Sequence, residues 1–125
     1  MLVTRSRYEQ AETVRRLLAG IERRELTLFA RIDHAAAARE VGLELASEQV
    51  IVFGNPKAGT ALMQTDPRIG IELPLRILAW EDADGALLGY NDPREFAERY
   101  SVEPHAATLS AMAGLLAELT SEATE

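Results

Sequence analysis

The most constraining stretch of this chain is the run Val50-Ile51-Val52-Phe53, closed at once by Gly54-Asn55-Pro56. Consecutive β-branched and aromatic residues mark a strand buried on both faces. Gly54 ends the run. Asn55 is a residue type that caps helices, and Pro56 suits the first helical position, where its missing amide would have no partner anyway. The chain therefore passes from strand to helix in one tight turn, and that helix should carry Leu62 and Met63 and end near Asp66-Pro67.

The flanking segments extend the same alternation. Leu2 to Ser6 reads as a short edge strand. Val14, Leu17, Leu18 and Ile21 recur at i, i+3, i+4 and i+7, one face of a helix from about Tyr8 to Arg24. Leu26 to Ile32 is β-prone; Asp33 then caps a short helix through the alanines to Val41, with Gly42 as terminator. Ile71, Leu73, Leu75 and Ile77 alternate with Glu72, Pro74 and Arg76, the period of a strand with one wet face, and Pro74 belongs at an edge or a bulge. Asp82-Ala83-Asp84-Gly85 is a turn, and Ala86 to Tyr90 returns as its hairpin partner. Asp92-Pro93-Arg94-Glu95 starts a further helix. Leu109, Met112, Leu115, Leu116 and Leu119 stripe the last one, with a frayed tail expected after residue 120. Strands and helices interleave throughout, which predicts an α/β-type chain with one layer of sheet and helices packed on it.

A length of 125 residues fits one domain, residues 1–125, and 47% hydrophobic residues suffice for a core without staples. Cysteine is absent, which excludes disulfides, zinc ribbons, thiol nucleophiles and iron–sulfur clusters. Residues 1–10 show no apolar run flanked by basic residues, and no apolar stretch approaches membrane-spanning length, so the cytoplasm is the expected compartment, with no membrane partner. Thirteen basic against twenty acidic residues give a net charge of −7, which should repel nucleic acid and anionic membrane.

The run Phe53-Gly54-Asn55-Pro56-Lys57-Ala58-Gly59-Thr60, preceded by Ile32-Asp33-His34 and followed by Leu73-Pro74-Leu75, resembles the domain-of-unknown-function family 302 (DUF302). The resemblance extends over roughly Leu2 to Leu119, and Phe-Gly-Asn-Pro with the following Gly-Thr is its most specific element. Glu72 stands where the family more often has aspartate. The resemblance implies an α+β fold: a two-layer sandwich with a curved, largely antiparallel sheet of about five strands, a topology like that of the TATA-binding protein, in a homodimer. It implies no activity, and fold does not carry function.

Two segments are candidates for chemistry. The Gly54 to Thr60 loop has the layout of a phosphate cradle, with Asn55, Lys57 and Thr60 beside a helix N-terminus, and so suggests a small anionic ligand. It lacks the lysine between Gly59 and Thr60 that nucleotide hydrolysis would need. The plain alternative is that Asn55 and Pro56 only start a helix and Gly59 permits close packing. Asp33-His34 is the second candidate: His34 has the chemistry of an acid–base group or of a haem or metal ligand, against the plainer reading of a cap followed by an exposed first-turn residue. The other histidine, His105, is far along the chain, and no carboxylates recur at ligand spacing, so no metal site is assigned. No serine lies in a nucleophile-elbow pattern. The expected function is a homodimeric small-ligand-binding or accessory module; the alternative is a small enzyme or a haem- or metal-binding protein using His34. Which holds depends on whether His34 and Asn55 share a pocket. Leu78 and Trp80 turn the wet face of their strand apolar near the hairpin turn, so that face needs a cover: the chain's own C-terminal helices or, preferably, a second copy.

Overall fold

Five strands and four α-helices alternate along the chain in a computed structural model that describes all 125 residues. They are β1 (Leu2–Arg5), α1 (Gln10–Arg23), β2 (Thr27–Asp33), α2 (His34–Glu40), β3 (Glu48–Gly54), α3 (Pro56–Thr65), β4 (Leu75–Asp82), β5 (Gly85–Tyr90) and α4 (Ala106–Thr124). The strands form one sheet in the order β1-β5-β4-β3-β2, every neighbour antiparallel. The fold is thus α+β, with short β1 and wholly exposed β2 at the two edges.

The long helices α1 and α4 cover one face. Val14, Leu17 and Ile21 of α1 and Leu109, Leu116 and Leu119 of α4 close on Ile51, Phe53, Ile77 and Leu88 of the sheet. Gly20 lets the two helices come together, because a Cβ there would stand 3.0 Å from Leu119 Cδ2. Arg24 pairs with Glu122 at 2.7 Å, and the Arg16 guanidinium donates to the Glu122 carbonyl. These contacts correct the expectation of a frayed tail: α4 runs to Thr124, and Ala123 and Thr124 are buried. Helical composition alone shows no reason to order those residues; packing against α1 supplies it.

Two further expectations give way to local physics. The strand expected from Ile71 begins only at Leu75, because Pro67–Ile71 forms a 3-10 turn. Asp66 caps that turn by accepting the Arg68 amide, and Pro67 takes the first position, so an Asp-Pro start overrides the period-two pattern that follows. Pro74 thereby falls ahead of the ladder. Likewise, β3 is not buried on both faces. Ile51 and Phe53 are fully buried under the helices, while Val50 and Val52 are only half-buried on the opposite side.

That opposite side carries one apolar row across the sheet, with Arg76 and, farther along, Glu48 and Arg5 beside it. Register aligns Ile32, Val50, Leu78, Gly89 and Val3 in one row through all five strands. The next row carries Glu48, Trp80, Leu87 and Arg5, and Arg5 is held by both oxygens of Asp82. The Trp80 ring lies over Gly89, where a Cβ would come within 3.0 Å of it. A glycine here lets the indole lie flat along the sheet.

Candidate functional site

The turn from β3 into α3 is built as its residues require. Phe53 is buried in the core, and Asn55 accepts the Lys57 amide at 2.9 Å through Oδ1. Pro56 occupies the first helical position, and the Gly59 amide donates to the Asn55 carbonyl. Leu62, fully buried, pins the helix to the core, whereas Met63 beside it is 37% exposed.

Beside this turn lies a cleft of about 420 Å³, walled by α3 on one side and α4 on the other. Its floor comes from the Gly54 turn and from Leu73, Pro74 and Leu75 leading into β4. The third wall is Phe29. The pairing of β2 with β3 shifts register between Leu28 and Ala30, and the extra residue in that bulge is Phe29, which lines the cleft and is 48% exposed. Bulges commonly re-aim one side chain in this way. None of the 16 residues lining the cleft is charged; its polar members are Asn55, Thr60 and Thr108.

The two candidate segments lie at opposite ends of one strand pair. Asn55 and Thr60 line the cleft, whereas Lys57 is exposed and does not. Asp33 and His34 lie at the far end of the same strand pair. Antiparallel register sets Asp33 opposite Gln49 and Thr27 opposite Gly54, which puts the two turns roughly 17 Å apart at ~3.4 Å per residue. Asp33 accepts the Ala36 amide at 2.8 Å, an ordinary N-cap, and His34 is the exposed first residue of α2. His105 instead meets the Thr65 hydroxyl at 2.7 Å on the surface. No group of three or more histidine and carboxylate side chains is placed to hold a metal ion.

Sequence reasoning assigns no site role to several cleft residues: Phe29, Met63, Leu73, Thr108, Ala111 and Leu115. One signal was available. Thr108, Ala111, Met112 and Leu115 are spaced i, i+3, i+4 and i+7, a second stripe on α4 beside the buried Leu109–Leu116–Leu119 stripe. A helix with two apolar stripes has more to cover than one sheet face.

Comparison with known proteins adds a family and a partial kinship. The family model described as domain of unknown function DUF302 matches residues 2–119. The crystal structure of an uncharacterized conserved DUF302 protein from Bacillus stearothermophilus is similar with a TM-score of 0.85, over 98% of this chain and 96% of that one. At 14% sequence identity, that likeness shows the fold alone. Among curated proteins, the chain is 44% identical over 103 residues to fluoride-specific ion channel FluC 1 of Brucella suis biovar 1, and equally to that of Brucella abortus biovar 1. The match takes in 82% of this chain but only 41% and 38% of those channels. No helix here is long and apolar enough to cross a membrane.

Proposed function

The chain belongs to the DUF302 family, and on that premise we propose that it is a cytoplasmic, homodimeric small-ligand-binding module rather than an enzyme. The observation that carries this reading is the cleft, which has the size of a small-molecule site and hydroxyl and amide groups but no charged or nucleophilic set. Dimerisation is supported by the apolar row through Ile32, Val50, Leu78 and Val3, a face too continuous to be scattered surface hydrophobicity. Net charge of −7 supports the absence of a nucleic-acid partner. The alternative resting on His34 has less support, since that residue stands exposed at the other end of the sheet.

Native mass spectrometry of the freshly purified protein tests both halves of the proposal. Two copies with a retained small mass are expected; a bare monomer at micromolar concentration ends it. Trp80→Glu should weaken the dimer about 30-fold, as loss of an interfacial aromatic anchor does, and an unchanged dimer constant would place the interface elsewhere.

A second reading is favoured by the kinship to the fluoride channels. An ion path needs membrane-spanning segments, and this chain has no helix of that kind. The shared stretch then reads as an accessory module appended to those channels, and this chain as a counterpart of that module acting with such a channel. Removing the chain from its host should raise fluoride sensitivity; growth unchanged across fluoride concentrations rules this reading out.

A further inference from the structure

Resting on the reading of the cleft as a ligand site, we propose that its ligand is a neutral, largely aliphatic molecule with one hydrogen-bonding head, not a small anion. No charged side chain lines the cleft, so an ion entering it would exchange its hydration for a few neutral donors and no counter-charge. Asn55 Oδ1 is already committed to the Lys57 amide. The Asn55 side-chain NH2 and the hydroxyls of Thr60 and Thr108 remain as handles for a polar head, the two hydroxyls on opposite walls.

The rest of the lining fits a hydrocarbon. Phe29 and Met63 hold large apolar side chains 48% and 37% exposed beside the cleft, surface that a bound chain would take out of water. Met63 and Met112 are flexible side chains that adapt to an irregular apolar surface.

Gly59 is the more specific indication. It sits inside α3, where glycine is the least favourable residue after proline. Its backbone is not in the left-handed region, and a Cβ there would meet only Leu73 Cδ1 at 3.8 Å, an ordinary contact. Neither conformation nor packing requires a glycine. Both Gly59 and Leu73 line the cleft, so what a side chain at 59 would fill is the ligand's space. Gly114, inside α4, faces nothing within 4 Å and lies outside the lining, which makes it a matched control.

The test is a titration of the isotope-labelled full chain, followed by backbone amide shifts, with 1-decanol, decanoate and inorganic phosphate as separate probes. Saturable shifts at Gly59, Thr60 and Thr108 are expected with decanol. Decanoate should bind at least about tenfold more weakly, because its carboxylate has no counter-charge in the cleft. Phosphate should leave the cleft unmoved. Gly59→Leu, and independently Ala111→Trp at an exposed position of the α4 wall, should each lower decanol affinity by about tenfold or more, while Gly114→Ala leaves it unchanged. Preference for decanoate or phosphate at the same residues overturns the ligand class and leaves the cleft standing as a site. Decanol binding that survives both filling variants overturns the location. No saturable binding by any probe overturns the class, and loss of the retained mass in native spectra would remove the site as well.

Discussion

Two turns in this molecule share one local design and have different surroundings. At Asp33 and at Asn55 a strand ends, an Asx side chain takes a first-turn amide at 2.8 or 2.9 Å, and a helix begins. The residue before Asn55's glycine, Phe53, is wholly buried, whereas Ile32 before Asp33 is 47% exposed. A cleft opens beside the second turn and is lined by Asn55, whereas the groove nearest the first, between α1 and Arg31, Ser47 and Gln49, is lined by neither Asp33 nor His34. The cap and its helix are local properties that six or seven residues can specify. Whether the turn borders a site depends on what packs across from it, here α4 and the Phe29 bulge.

The largest break in the comparison should come from the residues that enter each turn. Phe53→Ala is expected to cost about 3–5 kcal/mol, as a large core deletion does, and Ile32→Ala within about 0.5 kcal/mol of the monomer's stability. Chemical denaturation of both variants decides it, and equal losses would mean that the Asp33 end is as tightly packed as the other.

Acid should separate a third Asx cap from the exposed pair. Asp66 caps the 3-10 turn, but it is buried and also receives the Arg68 guanidinium and the Ser101 amide. The Arg68 side-chain hydrogen bonds, followed by the Ser101 amide, hold its carboxyl well below the ordinary range. The Arg5 side chain, helped by the Asp84 amide, likewise brings Asp82 down to about 2. A carboxyl lowered on folding stabilises the native state above its unfolded value of about 3.9, and that contribution is lost as protonation of the folded state sets in. Thermal midpoints should therefore fall from about pH 4 toward pH 2. Asp66→Asn should flatten that fall as well as lower the midpoint at neutral pH; an unaltered acid slope would mean Asp66 contributes nothing to it.

The two exposed caps should behave alike. Asn55→Ala and Asp33→Ala are each expected to cost about 1 kcal/mol by denaturation. A much larger loss at Asn55 would show that the turn beside the cleft is held by more than its cap. The smallest effect belongs to His34→Ala, which should change neither ligand retention nor stability by more than about 0.5 kcal/mol. Loss of ligand in that variant would bring the far turn back into the site.

The order of elements was legible in the residues because its signals are local. Asp33, Asn55 and Asp92 cap where their side chains can reach the next amides, Pro56 and Pro93 start helical turns, and Gly85 closes the hairpin with a φ of +123°. The turn from Gly54 to Thr60 was likewise visible as the segment most worth watching. Three things were decided only in three dimensions. Asp66-Pro67 overrode the alternation from Ile71, since a capped turn competes successfully with a pattern whose partner strand is distant. The tail of α4 became ordered because α1 supplied its contacts. Antiparallel pairing of β2 with β3 put His34 and Asn55 at opposite ends and brought Phe29 to the cleft, while the packing of α4 brought Thr108 and Ala111. Such proximity joins residues tens of positions apart, and side chains that meet only after folding leave no mark in the spacing of either segment.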